Sequence, residues 1–167
     1  MNLKIHLLIF SLIILSCNDE EKKVFLVPEN AVELISGDTI KTWKIAKRFN
    51  DGHRMNMGDC FLSYRVSYSR NSNMRDNSSE NIDCGESLEA NWQLITNKNG
   101  GFIKLTGDNL SELLNIDESY KYFKIKALSQ NELVLQFKHK QFSNKSTIIV
   151  DHLVPENVLV EDRDFHN

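Results

Sequence analysis

Between Thr42 and Val154 the chain returns again and again to a period of two, in short runs of alternating apolar and polar residues set off by turn-forming segments. Successive side chains of a β-strand point to opposite faces, so each run reads as a strand with one face to bury. Residues 61–68 are the cleanest case: Leu62, Tyr64, Val66 and Tyr68 share one side, and Ser63, Arg65 and Ser67 the other. Residues 42–49 place Trp43, Ile45 and Phe49 on one face, with a charged interruption at Lys47. Residues 92–96 and 102–106 are joined by Asn97-Lys98-Asn99-Gly100-Gly101, where Asn and Gly tolerate the positive φ of a tight hairpin. Three more strands are predicted over 122–128, 133–139 and 146–154, the last stopped by Pro155.

That makes seven strands, with an eighth expected around residues 82–86 and a long polar loop over 69–83. Leu110, Leu113 and Leu114 mark a helical turn or an irregular crossing, and residues 31–36 one or two helical turns with Asn30 as cap and Gly37 as stop. Strands at this spacing, with no βαβ pattern, predict an all-β domain, a single antiparallel sandwich or barrel. A length of 167 residues suits one domain. A formal charge of −3 excludes a basic, phosphate-seeking protein, so no nucleic-acid partner is expected. Nine Phe and 26% charged residues exclude wholesale disorder.

The first residues carry an address. A short basic start, Met1 to Lys4, precedes about eleven apolar-rich residues, too few for a membrane-spanning helix of about twenty. The pattern is that of a secretory signal peptide over residues 1–16. Ile14-Leu15-Ser16-Cys17 resembles the bacterial lipobox, which implies cleavage before Cys17 and lipidation of its thiol. The alternative is an ordinary signal peptide with Cys17 as a free thiol. One acyl chain holds a protein only marginally, but two or three make an effectively permanent anchor, so the implied partner is a membrane reached through lipid. Asn18-Asp19-Glu20-Glu21 resembles the acidic export signal of surface lipoproteins of the Bacteroidota, which implies an outer-membrane, cell-surface location. A periplasm-facing location, with the cluster serving as a solvated tether, is the alternative. Residues 17–33 are expected to be lipidated Cys and flexible tether, 34–156 the domain, and 157–167 a tail.

Export decides how the remaining thiols are read. Cys60 and Cys84 would sit where disulfides persist, and a bond between them would close the polar loop. The chain-entropy estimate for about 25 residues is roughly 3.5 kcal/mol. A metal site would need more ligands, and neither Cys has a His close by at ligand spacing. A nucleophilic role would need a depressed thiol pKa, for which only His53 and Arg54 lie near in sequence.

Taken in order, Gly37 then Trp43, Gly58-Asp59-Cys60 ahead of one strand, Cys84-Gly85-Glu86 ahead of Asn91-Trp92-Gln93-Leu94, and Leu128-Ser129-Gln130-Asn131-Glu132-Leu133 between two late strands resemble the lipocalin-like domain of Bacteroidota lipoproteins. The resemblance covers about residues 34–154. It implies an antiparallel up-and-down barrel of about eight strands behind a short N-terminal helix, with no shared enzymatic activity.

No nucleophile elbow, zinc-protease, phosphate-loop or calcium-loop motif is present, and no cofactor or metal is expected. His139 and His152 fall near strand ends as rim or surface residues, and Asp151 and His152, adjacent on a strand, should face opposite ways. Lys121, Lys124, Lys126, Lys138, Lys140 and Lys145 read as a solvated strand face. Trp43, Tyr64, Val66, Trp92, Leu94, Leu105, Ile125, Leu135 and Phe137 are the candidates to line the interior. An eight-stranded barrel is either just filled by its side chains or holds one small ligand. Two functions follow: a non-catalytic binding module for a small apolar molecule, or an interaction protein that uses its loops and keeps a packed barrel. A cavity would favour the first.

Overall fold

Each main strand pairs antiparallel with the next, and the last returns to the first. The computed structural model describes residues 24–140 and 145–164, so Cys17 and the predicted leader lie outside the described residues. In chain order these are α1 (Ala31–Ser36), β1 (Ile40–Asn50), β2 (His53–Arg54), α2 (Asp59–Ser63), β3 (Arg65–Ser69), β4 (Asn73–Asp76), a 3₁₀ turn (Ser78–Glu80), β5 (Glu89–Asn97), β6 (Gly100–Thr106), α3 (Leu110–Leu114), β7 (Tyr120–Leu128), β8 (Leu133–Lys140) and β9 (Ser146–Pro155). The order β1-β3-β4-β5-β6-β7-β8-β9 closes through a β1–β9 ladder running from Trp43↔Pro155 to Asn50↔Ile149. The result is a closed eight-stranded antiparallel barrel, with β2 a two-residue flap on the far end of β1. Closure leaves no unpaired sheet edge between β1 and β9.

The barrel has a closed lower end, where β1 starts and β9 finishes. There α1 packs against β1, β3 and β7, and Ala31 and Ile35 are fully buried. Trp43 Nε1 donates to the Ile35 carbonyl at 2.8 Å, so the indole's polar edge is satisfied inside an apolar layer. Trp43, Ile45, Ile103, Ile125 and Leu133 fill this half with no solvent exposure. Asn30 gives no side-chain cap to α1, but Gly37 ends it at φ 62° with its N–H on the Glu33 carbonyl. Phe25 and Val27 already pack on the core, so the chain is held well before residue 34 and the expected flexible tether does not extend that far. Close approach is what Gly101 permits here: a Cβ on it would lie 2.1 Å from Val27 Cγ2.

Four sequence expectations are corrected. Residues 61–63 belong to α2 rather than to a strand, so Leu62 leaves the Tyr64-Val66-Tyr68 face. Five residues are too short for periodicity to tell helix from strand. The polar segment 69–83 contains β4, whose one apolar inward residue is Met74; its ladders to β3 and β5 stabilise it where propensity would not. The strand expected around residues 82–86 does not form. In β1, a bulge between Ile45 and Lys47 shifts the register. Beyond it Arg48 turns inward, and Phe49 meets His152 on the outside with ring centroids 5.5 Å apart. A bulge inserts one residue and reverses the alternation that follows it. The Ile45 carbonyl at the bulge accepts from Arg163 Nε at 2.8 Å, which ties the C-terminal segment to the barrel wall.

The hairpin between β5 and β6 forms as expected. Its loop is Lys98-Asn99, and the positive φ falls on Gly100 at 114°.

Candidate functional site

Above the packed half, the barrel encloses a cavity of about 880 Å³. It reaches the surface at the upper end, where exposed Cys60, Asn115, His139 and Lys140 form part of its rim. Leu113 and Leu114 of α3 and Phe61 of α2 lean over it. A disulfide joins Cys60 to Cys84 across the rim, with S–S 2.01 Å and Cα–Cα 5.3 Å, and so ties α2 to the loop after the 3₁₀ turn.

Of the nine interior candidates, Tyr64, Val66, Leu105, Leu135 and Phe137 line the cavity. Trp43 and Ile125 lie in the fully packed layer below it. Trp92 is also buried rather than cavity-lining; its Nε1 donates to the Ser69 carbonyl at 3.0 Å and its ring meets Tyr68 edge-on at 5.4 Å. Leu94 packs against the core from β5. These four pack in the core and do not border the cavity, a difference that alternation alone does not specify.

The cavity has two unlike walls. Leu105 of β6, Phe123 of β7, and Leu135 and Phe137 of β8 make the apolar one, with the two Phe rings 4.9 Å apart. The contiguous strands β9, β1, β3 and β4 make the polar one. On it, Arg48 Nε and Nη2 donate to the two carboxylate oxygens of Asp151, both at 2.6 Å. This fork is the strong planar arrangement of guanidinium and carboxylate. The Arg48 guanidinium also stacks over the Phe61 ring at 4.2 Å. As expected, Asp151 and His152 face opposite ways: Asp151 lines the cavity, and His152 lies outside beside Glu132.

Asp76 is 8% exposed, and its Oδ1 accepts from the Ser78 N–H at 3.0 Å. Tyr64 and Tyr68 stand on the same wall. Burial pushes both phenols well above the usual tyrosine range, and the carboxylates of Asp76 and Asp151 push them further, so both stay protonated donors.

Near the rim, Lys121 Nζ donates to the Lys138 carbonyl at 2.8 Å. Burial holds its ammonium below the usual lysine range, partly offset by Glu118. Lys121 therefore departs from the solvated face expected for it and lines the cavity. Burial, then the charges of Lys121 and Arg48, hold His139 below the usual histidine range.

Arg48, Asp76, Lys121 and Asp151 are charged lining residues, and Met74, Phe123, Ile149 and Leu153 apolar ones, that sequence reasoning did not place in the interior. Arg48 depends on the bulge, which leaves no mark in the sequence. Asp151 carried a faint signal, as an acid which, with His152, interrupts an apolar run from Ile148 to Val154. Among the described residues, no three His, Cys, Asp or Glu side chains group as a metal site. Among the same residues, no helix is long and apolar enough to cross a membrane.

No family model matches the chain, and no curated protein matches it. Among solved structures, a lipocalin-like protein from Bacteroides uniformis is similar at 16% identity and a TM-score of 0.43, over 71% of this chain and 98% of that one. The barrel assignment stands on the strand pairing itself.

Proposed function

We propose that the protein is a non-catalytic binding module that takes one small, predominantly apolar molecule into its barrel through the upper end. The observation that carries this is the cavity of about 880 Å³, within the size range of small-molecule sites. Its apolar wall supplies the driving force, about 25 cal/mol for each Å² of apolar surface removed from water. The same cavity favours this reading over partner binding through loops around a filled barrel. We further propose that lipid on Cys17 anchors the module to the outer membrane, displayed on the cell surface or facing the periplasm. The lipobox-like Ile14-Leu15-Ser16-Cys17 supports that anchor.

Two measurements test the proposal. Native mass spectrometry of protein purified from its own host should find a co-purified small molecule, and the emptied protein should bind N-phenyl-1-naphthylamine saturably, one per chain. Protein that carries nothing and shows only linear, unsaturable fluorescence would overturn the binding role. Labelled palmitate should enter the wild-type band and not that of Cys17→Ala; equal label in both would overturn the anchor.

A further inference from the structure

The polar wall restricts what the cavity can hold, and this inference rests on the binding role proposed above. A purely apolar molecule would leave a wall of hydrogen-bonding groups without partners, which is costly once water is displaced. The charges on that wall do not cancel. Arg48 and Asp151 neutralise each other through two 2.6 Å hydrogen bonds. Lys121, on the opposite strands, spends one donor on the Lys138 carbonyl. Asp76 is left with one backbone N–H on Oδ1 and no ion pair among the described residues, although it is more than nine-tenths buried. Beside it Tyr68 is 3% exposed and lines the cavity, and its phenol has no hydrogen-bond partner among the described residues.

A carboxylate in that position asks for a hydrogen-bond donor, and best for a charged one. Phenolic oxygens accept hydrogen bonds as well as donate them, and the faces of Tyr64 and Tyr68 are attractive to a cation. We infer that the ligand is an amphipathic amine: an apolar body lies against Leu105, Phe123, Leu135 and Phe137, and a protonated nitrogen sits at Asp76 between the phenols of Tyr64 and Tyr68. An anionic head group would meet the Asp76 carboxylate and lose affinity through like-charge repulsion.

Three probes with one body and different heads separate the possibilities: 1-naphthylmethylamine, 1-naphthalenemethanol and 1-naphthylacetic acid. Titration calorimetry near pH 7 with the emptied protein should rank the amine first, by about tenfold or more over the alcohol, because only the amine adds charge–charge attraction to its hydrogen bond with the carboxylate. Asp76→Asn retains an oxygen for the Ser78 N–H, and should remove most of the amine's advantage while weakening the alcohol by a smaller factor. Tyr68→Phe should weaken the amine by a smaller factor. Circular dichroism checks that each variant keeps the barrel, and the wild-type ranking stands even if a variant fails to fold. If the alcohol binds and the amine is no tighter, or if the acid binds best through Lys121 and Lys140, the amine assignment is overturned and the binding role stands. If none of the three binds, both fall.

Discussion

The Arg48–Asp151 pair is the feature whose removal tests the described interior most directly. The side chains are only 15% and 9% exposed, and two hydrogen bonds at 2.6 Å join them. Asp151→Ala leaves a guanidinium stacked on Phe61 with its carboxylate gone. Breaking a fully buried pair costs about 3–5 kcal/mol because the remaining charge is uncompensated. This pair borders a cavity of about 880 Å³ that water can enter, so the cost should be lower, about 2–3 kcal/mol. With a urea slope of about 2 kcal/mol per molar, the unfolding midpoint should fall by about 1 M. Arg48→Met should cost less, about 1–2 kcal/mol, since cavity water can solvate the carboxylate while the Phe61 stack is lost.

The double variant Arg48→Met, Asp151→Leu replaces both charges with apolar volume and should come within about 1 kcal/mol of wild type. Urea denaturation followed by tryptophan fluorescence reports all three, since Trp43 and Trp92 are both buried. The reasoning fails if Asp151→Ala moves the midpoint by less than about 0.2 M, or if the double variant is as unstable as Asp151→Ala alone.

Two further predictions concern packing and titration. Gly101→Ala should destabilise by about 1–3 kcal/mol through overpacking, because the new methyl would lie 2.1 Å from Val27 Cγ2. The same change in a Val27→Ala background should cost far less, since the next Val27 atom is Cβ at 3.5 Å, and equal costs in the two backgrounds would show that the N-terminal segment does not lie on β6. His139 should titrate below the usual 6.5, held down first by burial and then by Lys121 and Arg48. Because the folded state disfavours the charged ring, this residue's effect on stability is fully favourable above pH about 6.5 and declines as pH falls through its folded pKa. Lys121→Met should raise that pKa in an NMR titration, and a wild-type value at or above 6.5, unmoved by the substitution, would refute the placement.

Most of the strand pattern could be read from alternation because burial of one face demands it. Residues 92–106 form the expected hairpin, and residues 122–154 the expected three strands within a residue or two of their ends. The reading failed where local pattern and tertiary contact disagree. Asn73-Met74-Arg75-Asp76 has no strand signature, and pairing on both sides makes it β4. The run from Phe61 looked like the start of a strand, yet α2 is anchored by Cys60 to Cys84 and by Phe61 beneath Arg48.

The cavity residues divide along the same line. Tyr64, Val66, Leu105, Leu135 and Phe137 were legible because inward phase follows from alternation. Their difference from Trp43, Trp92, Leu94 and Ile125 was not, because which inward side chains meet others and which border open space depends on neighbours brought in from distant strands and from α1. Sequence alone determined an all-β chain of antiparallel strands with a cysteine pair positioned to bond and a lipobox-like start, since periodicity, turn chemistry and spacing are local properties. Only the tertiary structure decided that the barrel closes through β1 and β9, that a bulge swings Arg48 onto Asp151, and that Asp76 is buried facing open space. Those depend on which distant residues meet, and no local pattern encodes that.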